Sequence, residues 1–304
     1  MAALDRGGPG DHSGVSTMAL GPRRMLWEFL KARTVPVCEA LPAWFRNASV
    51  PYTWIARERW AEHKTSDTLF VIGSGPSVNN LSEAQWQHIG EHDSIGLNFA
   101  FLTRRPMTYF YLGYEPSSKD SILKAFSGEV REAYRHTLWF LPTKVLPRLV
   151  HPRTISEFFP PEPKLALFDL PPGLTLDSDR AFTREDFEFS LNYRGVMGVG
   201  LHLADLMDYK NIVLVGVDLH TFHHFFDEDP VMVEERKIYN AKMAAGGKFE
   251  SMLPKHSKFR RMDEYYYALD ELYFCPRGRK LYIANADNML APKLPVYLGF
   301  PRLK

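Results

Sequence analysis

The chain has 304 residues, 45% apolar and 24% charged, with a net charge of +1. This is ordinary globular composition, long enough for one large α/β domain with an insertion or for two smaller domains. The balance of charge gives no global field for nucleic acid, and two cysteines, Cys38 and Cys275, exclude a disulfide framework or a cysteine zinc site and point to a reducing compartment.

Residues 1–24 are small, polar and glycine-rich, with no apolar core of signal-peptide length, and read as disordered. Residues 25–60 read as a separate amphipathic helical segment. Met25, Leu26, Phe29 and Leu30 share one face, and Arg23, Arg24, Lys31 and Arg33 surround it. That pattern suits packing on the main domain; it also suits peripheral contact with an anionic membrane through 23–47. No apolar run reaches the ~18 residues needed to cross a bilayer. The expected location is the cytoplasm, at most peripheral at the inner membrane, and a homo-oligomer is left open.

From 61 to 304 the sequence predicts one domain. Thr68–Ile72 reads as a buried strand, Leu81–Ile89 as a helix, and Asp93–Phe99 and Met107–Leu112 as further strands. Lys119–Ala133 reads as helix and Thr137–Leu141 as extended chain. Residues 142–190 are dense in proline, which argues against long helices and interior strands, so they read as connections and rim. Gly198–Met207 predicts a helix and Asn211–Val217 a buried strand. Residues 220–256 are polar and charged around a helical centre, Val233–Ala245. Asp263–Tyr273 returns to helix and Lys280–Ala284 to strand. Alternating strands and helices predict an α/β fold, a mostly parallel sheet covered by helices on both faces. Ligands of such sheets bind at the carboxyl ends of the strands.

The first such end is TLFVIGSGPSVNN, residues 68–80. Gly73-Ser-Gly75 opens like the dinucleotide fingerprint. Its third glycine is replaced by Val78, however, and the acidic residue expected about 20 positions on is replaced by Asn98. A nicotinamide or flavin cofactor is therefore not expected. What remains is a tight turn with free backbone N–H groups before a helix, suited to a phosphate, with Ser74 and Ser77 adding hydroxyls.

Four segments in order carry a more specific signal: G-S-G-P-S at 73–77, a strand ending in Asn98, N-Y-R at 192–194 leading through a helix to the strand end G-V-D at 216–218, and K-H-S-K at 255–258. Over roughly 70–290 this set resembles the bacterial sialyltransferases of the Campylobacter lipooligosaccharide type, glycosyltransferase family 42, and their nonulosonate- and Kdo-transferring relatives. The resemblance implies a single Rossmann-like nucleotide-binding domain with a small lid inserted at about 219–256. It implies inverting transfer from a CMP-activated sugar to a glycan or lipid-linked oligosaccharide acceptor, with no required metal or other cofactor. His256 would be the general base, a task that a group titrating near neutrality can perform. His220 and His224 stand where the family has two tyrosines beside the leaving phosphate, and His223 could replace His224. Gly73, Ser74, Gly75, Ser77, Asn98 and Asp218 would bind the donor, and Arg194 would meet a phosphate or carboxylate. Two positions depart from the family: its turn asparagine is Ser74 here, and a serine that helps hold the sugar carboxylate is Met197. The second change favours another 2-keto sugar acid such as Kdo, or a non-acidic sugar, over sialic acid.

Two alternatives stand beside this. His220, His223, His224, Asp227 and Asp229 offer ligands for a divalent ion, and Asp227-Glu-Asp229 has the D-x-D form of metal-dependent glycosyltransferases that use other nucleotide sugars. A non-catalytic nucleotide- or sugar-binding relative would keep the turn and lose the chemistry.

Overall fold

The computed structural model describes residues 52–113, 126, 128–142, 159–170, 180–193, 195–245 and 261–301. Among them runs one parallel sheet of eight strands in the order β1-β6-β5-β4-β3-β2-β7-β8. The strands are β1 (Thr53–Trp54), β2 (Thr68–Ile72), β3 (Asp93–Leu97), β4 (Tyr109–Tyr111), β5 (Leu138–Pro142), β6 (Lys164–Phe168), β7 (Asn211–Val215) and β8 (Lys280–Ile283). The helices are α1 (Glu83–Gly90), α2 (Gly128–Ala133), α3 (Arg184–Phe189), α4 (Val196–Leu206), α5 (Val233–Ala244) and α6 (Met262–Leu269). No helix among the described residues is long and apolar enough to cross a membrane.

β2, β3 and β5 are buried at every position, as strands covered on both faces must be. Successive side chains alternate between the faces. Val71 points to α4, where Gly200 leaves room for it, whereas Phe70 points the other way, onto His88 of α1 and onto Tyr297. The expected two-faced α/β architecture is what the structure has.

Successive strands β2 to β6 are added in one direction, and β7 then returns to pair with the opposite edge of β2, Ile72 facing Val215. The connections therefore diverge between β2 and β7. Such a switch point leaves a crevice at the carboxyl ends of the strands.

Several expectations are corrected. β6 lies in the proline-dense stretch whose composition argues against interior strands, yet it pairs with both β1 and β5. The prolines bracket it at 160, 161, 163, 171 and 172 and leave 164–170 clear, enough for the five-residue strand. α3 lies in the same stretch, opened by a capping box between Thr183 and Asp186. β3 stops at Leu97, two residues early, because Asn98 turns into the left-handed region at φ 50°. Upstream, β1 joins the sheet, and the 3-10 helix Arg57–His63 sets Trp60 edge-on to Phe140, centroids 4.9 Å apart. The α/β unit thus starts before residue 61. The segments 25–47, 114–125 and 246–260 lie outside the described residues, and with them the amphipathic stretch and the far end of the expected lid.

Candidate functional site

The crevice is formed by the loops that leave β2, β3, β4 and β7. After β2, the Gly73 N–H donates to the Val215 carbonyl (2.7 Å) and the Gly75 N–H to the Gly216 carbonyl (2.8 Å). The Ser77 N–H donates to Asp218 Oδ2 at 2.7 Å. The β2 and β7 loops are thus sewn together by three hydrogen bonds, one charge-assisted. The glycines are required for this approach. A Cβ on Gly73 would sit 2.5 Å from the Gly216 carbonyl oxygen, and one on Gly75 would run into the Asp218 carboxylate. Gly216 itself has φ 66°, where glycine is favoured.

Of the free N–H groups expected in this turn, only that of Ser74 is without an acceptor among the described residues. Those of Gly73, Gly75 and Ser77 are spent on the β7 loop, that of Val78 goes to Gly75, and Pro76 has none. The chain continues as a five-residue 3-10 helix, Pro76–Asn80, before α1 begins at Glu83. The backbone of this turn offers a phosphate a single N–H, that of Ser74. The Ser74 and Ser77 hydroxyls, by contrast, make no hydrogen bond among the described residues and can face a ligand.

Asn98 caps the end of β3. Its Oδ1 accepts from the Gly113 N–H at 2.9 Å, at the end of β4, which leaves its NH2 as the group able to donate. Gly113, which the sequence reading does not single out, lies two residues past β4, much as Gly73 closes β2.

Arg194 lies outside the described residues. Its neighbours place the start of α4 at the crevice. Val196 lies beside Gly113 and Met197 beside Gly73, 3.1 Å from where their Cβ atoms would be. Gly195 at φ 107° starts the helix, and no side chain caps it. The first-turn N–H groups of α4 therefore offer the positive helix end that the 73–77 turn does not. Met197, where the resembled family has serine, puts a thioether against that turn.

The segment after β7 forms the base of the expected lid. The Phe225 N–H donates to the Ser74 carbonyl (3.0 Å), and Asn79 Nδ2 donates to the Phe225 carbonyl (3.0 Å). Behind them Arg236 of α5 donates through Nε to Asp227 Oδ1 (2.7 Å) and through Nη2 to His224 Nδ1 (2.7 Å). Burial and the Arg236 guanidinium together push His224 down to about 4. It is neutral at pH 7, and since a guanidinium only donates, its ring proton sits on Nε2. Burial alone would raise the Asp227 carboxyl. Hydrogen bonds from His223, Arg236 and Asn240 outweigh that and hold it below the usual range. Arg236 gave no signal in the sequence, because E-E-R-K reads as a solvated helix face. His220 is exposed on the rim of the loop.

The five residues considered for a divalent ion are not gathered as one. Among the described residues no group of three or more His, Cys, Asp or Glu side chains is arranged to hold a metal. Asp227 is engaged as above, and Asp229 Oδ1 accepts the Val231 N–H at 2.9 Å. His256 lies outside the described residues.

No family model matches the chain, and no curated protein matches it. Among solved structures it is similar to the monofunctional α-2,3-sialyltransferase Cst-I from Campylobacter jejuni, at 17% identity and a TM-score of 0.43, covering 79% of this chain and 84% of that one. It is also similar to the sialyltransferase CstII from Campylobacter jejuni in complex with the substrate analogue CMP-3FNeuAc, at 16% identity and a TM-score of 0.37, covering 75% and 84%. A third is an α-2,3-sialyltransferase from Campylobacter jejuni in apo form, at 16% identity and 0.39, covering 77% and 81%. The resemblance read from the four motifs is to proteins of this kind.

Proposed function

We propose that the protein is a glycosyltransferase of the sialyltransferase type. It transfers sialic acid or a related 2-keto sugar acid from a CMP-activated donor to a hydroxyl of a glycan, with inversion. The supporting observation is the meeting of three motif-bearing loops at the switch point: 73–77, Asn98 and 216–218 come together at the ends of the adjacent strands β3, β2 and β7. The motif order and this convergence carry the reading, not the global likeness.

In this reading the Ser74 and Ser77 hydroxyls and the Asn98 amide meet the nucleotide. The start of α4, with Arg194, meets the phosphate. Charge develops on that phosphate as it leaves, and fixed donors lower the barrier. His220 and His224 supply them in place of the family's tyrosines, and His224, held neutral with its proton on Nε2, acts as donor rather than base. His256 takes the proton of the attacking hydroxyl. Asp218 shapes the turn through Ser77 and so positions the donor's binding groups indirectly. Met197 gives a sugar carboxylate no hydroxyl, which favours donors that rely on it less.

The test is a calorimetric titration with CMP, UMP, GMP and AMP, followed by transfer assays with CMP-activated sugars. CMP is expected to bind most tightly. His256→Ala should keep that affinity while transfer falls at least ~100-fold, the usual worth of a general base. No preference for CMP, or unimpaired transfer by His256→Ala, would overturn the reading.

A further inference from the structure

Beside the crevice lies an open cavity of about 350 Å³ that the roles above leave unused. That size is at the low end of small-molecule sites, about 300–1,000 Å³. Its walls come from three places. Val78, Asn79 and Leu81 follow the glycine turn; Leu102 and Thr103 follow Asn98; Phe225 and Phe226 belong to the lid base. Trp86 of α1 also lines it, and Glu228, Asp229 and Arg105 stand among the lining residues.

The cavity adjoins the proposed donor site. Phe225 is bonded to Ser74, and Phe99, next to Asn98, packs on Phe226 with ring centroids 5.1 Å apart. Its chemistry nevertheless differs from what a CMP-sugar needs. The one cation of the lining, Arg105, is paired with Glu83 at 2.9 Å. Two carboxylates, Glu228 and Asp229, stand among the polar groups; among the described residues Asp229 has an ion pair, with Arg104 at 3.5 Å, and Glu228 has none. Asn79 spends one N–H of its amide on the Phe225 carbonyl and keeps Oδ1 to accept and a second N–H to donate. Thr103 donates its hydroxyl hydrogen to the Ala100 carbonyl at 2.8 Å and accepts the Arg105 N–H at 3.3 Å, which leaves its oxygen one lone pair and no donor. Such a lining repels phosphate and carboxylate and accepts hydrogen bonds from hydroxyls. Its apolar side includes the Trp86 indole, over which the Arg105 guanidinium stands at 6.0 Å, and suits the C–H face of a sugar ring.

We propose that this cavity is an acceptor subsite that seats an uncharged pyranose ring of the acceptor glycan, with Trp86 beneath the ring and Asp229, Glu228 and Asn79 receiving its hydroxyls. The inference rests on the glycosyltransferase reading and adds a selectivity to it: neutral sugars are taken and acidic ones refused.

The full chain is titrated with the methyl β-glycosides of glucose, galactose and N-acetylglucosamine and with methyl β-glucuronide, with and without saturating CMP. At least one neutral glycoside should bind, and the glucuronide should bind at least ~10-fold more weakly, a difference of about 1.4 kcal/mol. Trp86→Ala should weaken the neutral glycoside about tenfold and leave CMP affinity unchanged. Glu228→Lys, an exposed change that leaves packing alone, should raise glucuronide affinity. A wild type that binds no neutral glycoside, a folded Trp86→Ala that binds it undiminished, or a Glu228→Lys that does nothing for glucuronide overturns the subsite. The arms without CMP judge the cavity independently: CMP failing to bind would sink the donor reading while glycoside binding still stood.

Discussion

At the scale of single residues, the crevice depends on atoms that are absent. Gly75 approaches the β7 loop so closely that one added methyl group would strike Asp218 and lie 2.8 Å from the Gly216 carbonyl oxygen. Both obstacles are held, the first by Ser77 and the second by the Gly75 N–H. Gly75→Ala should therefore cost ~1–3 kcal/mol in urea unfolding, the range for overpacking, and abolish CMP binding even where the protein stays folded. A variant with wild-type stability would show that the two loops are not clamped as described. The glycines were legible in the sequence; the fate of their N–H groups was not. The partner of Ser77 comes from 141 residues further along the chain, and no local pattern announces it.

At the scale of elements, β2 and β7 were legible because each is a short apolar run closed by a glycine, and β3 because Ile95 and Leu97 lead into Asn98. β6 was hidden because proline signals are read over a window, whereas a strand needs only its own five positions clear. β1 has two residues and no periodicity to detect. The lid base was recognised as polar, but its organisation around Arg236, with only 9% of its surface exposed, depends on tertiary contacts alone. This gives the element a pH dependence. His224 is depressed from 6.5 to about 4 by burial and then by Arg236. His202 of α4 is depressed to about 4 by burial and then by Arg57, and its Nδ1 has no partner among the described residues. Both folded-state values lie below the unfolded one, so the unfolded chain binds more protons under acid. Their contribution is complete above about pH 6.5 and lost as pH falls toward 4. Each should remove up to about 2 kcal/mol between pH 7 and pH 5. Urea melts at the two pH values measure the loss, and His224→Gln should reduce it by roughly half. An identical pH dependence in that variant would contradict the arrangement at Arg236.

At the scale of the whole molecule, the sheet begins upstream of residue 61, with β1. Trp60 is 2% exposed; it donates from Nε1 to the Ile55 carbonyl at 3.2 Å and packs on Phe140 and Phe168. It fastens β1 and the 3-10 helix over β5 and β6. Trp60→Ala should cost about 3–5 kcal/mol by chemical denaturation, whereas a purely peripheral N-terminal segment would show almost no loss. The strand order also fixes when the crevice can exist. Thr68 of β2 pairs with Asn211 of β7, so the central pairing closes a loop of some 140 residues. Contacts this distant in sequence form slowly. During refolding, far-ultraviolet ellipticity should recover before the capacity to retain nucleotide, making ligand capture a clock for the final docking step.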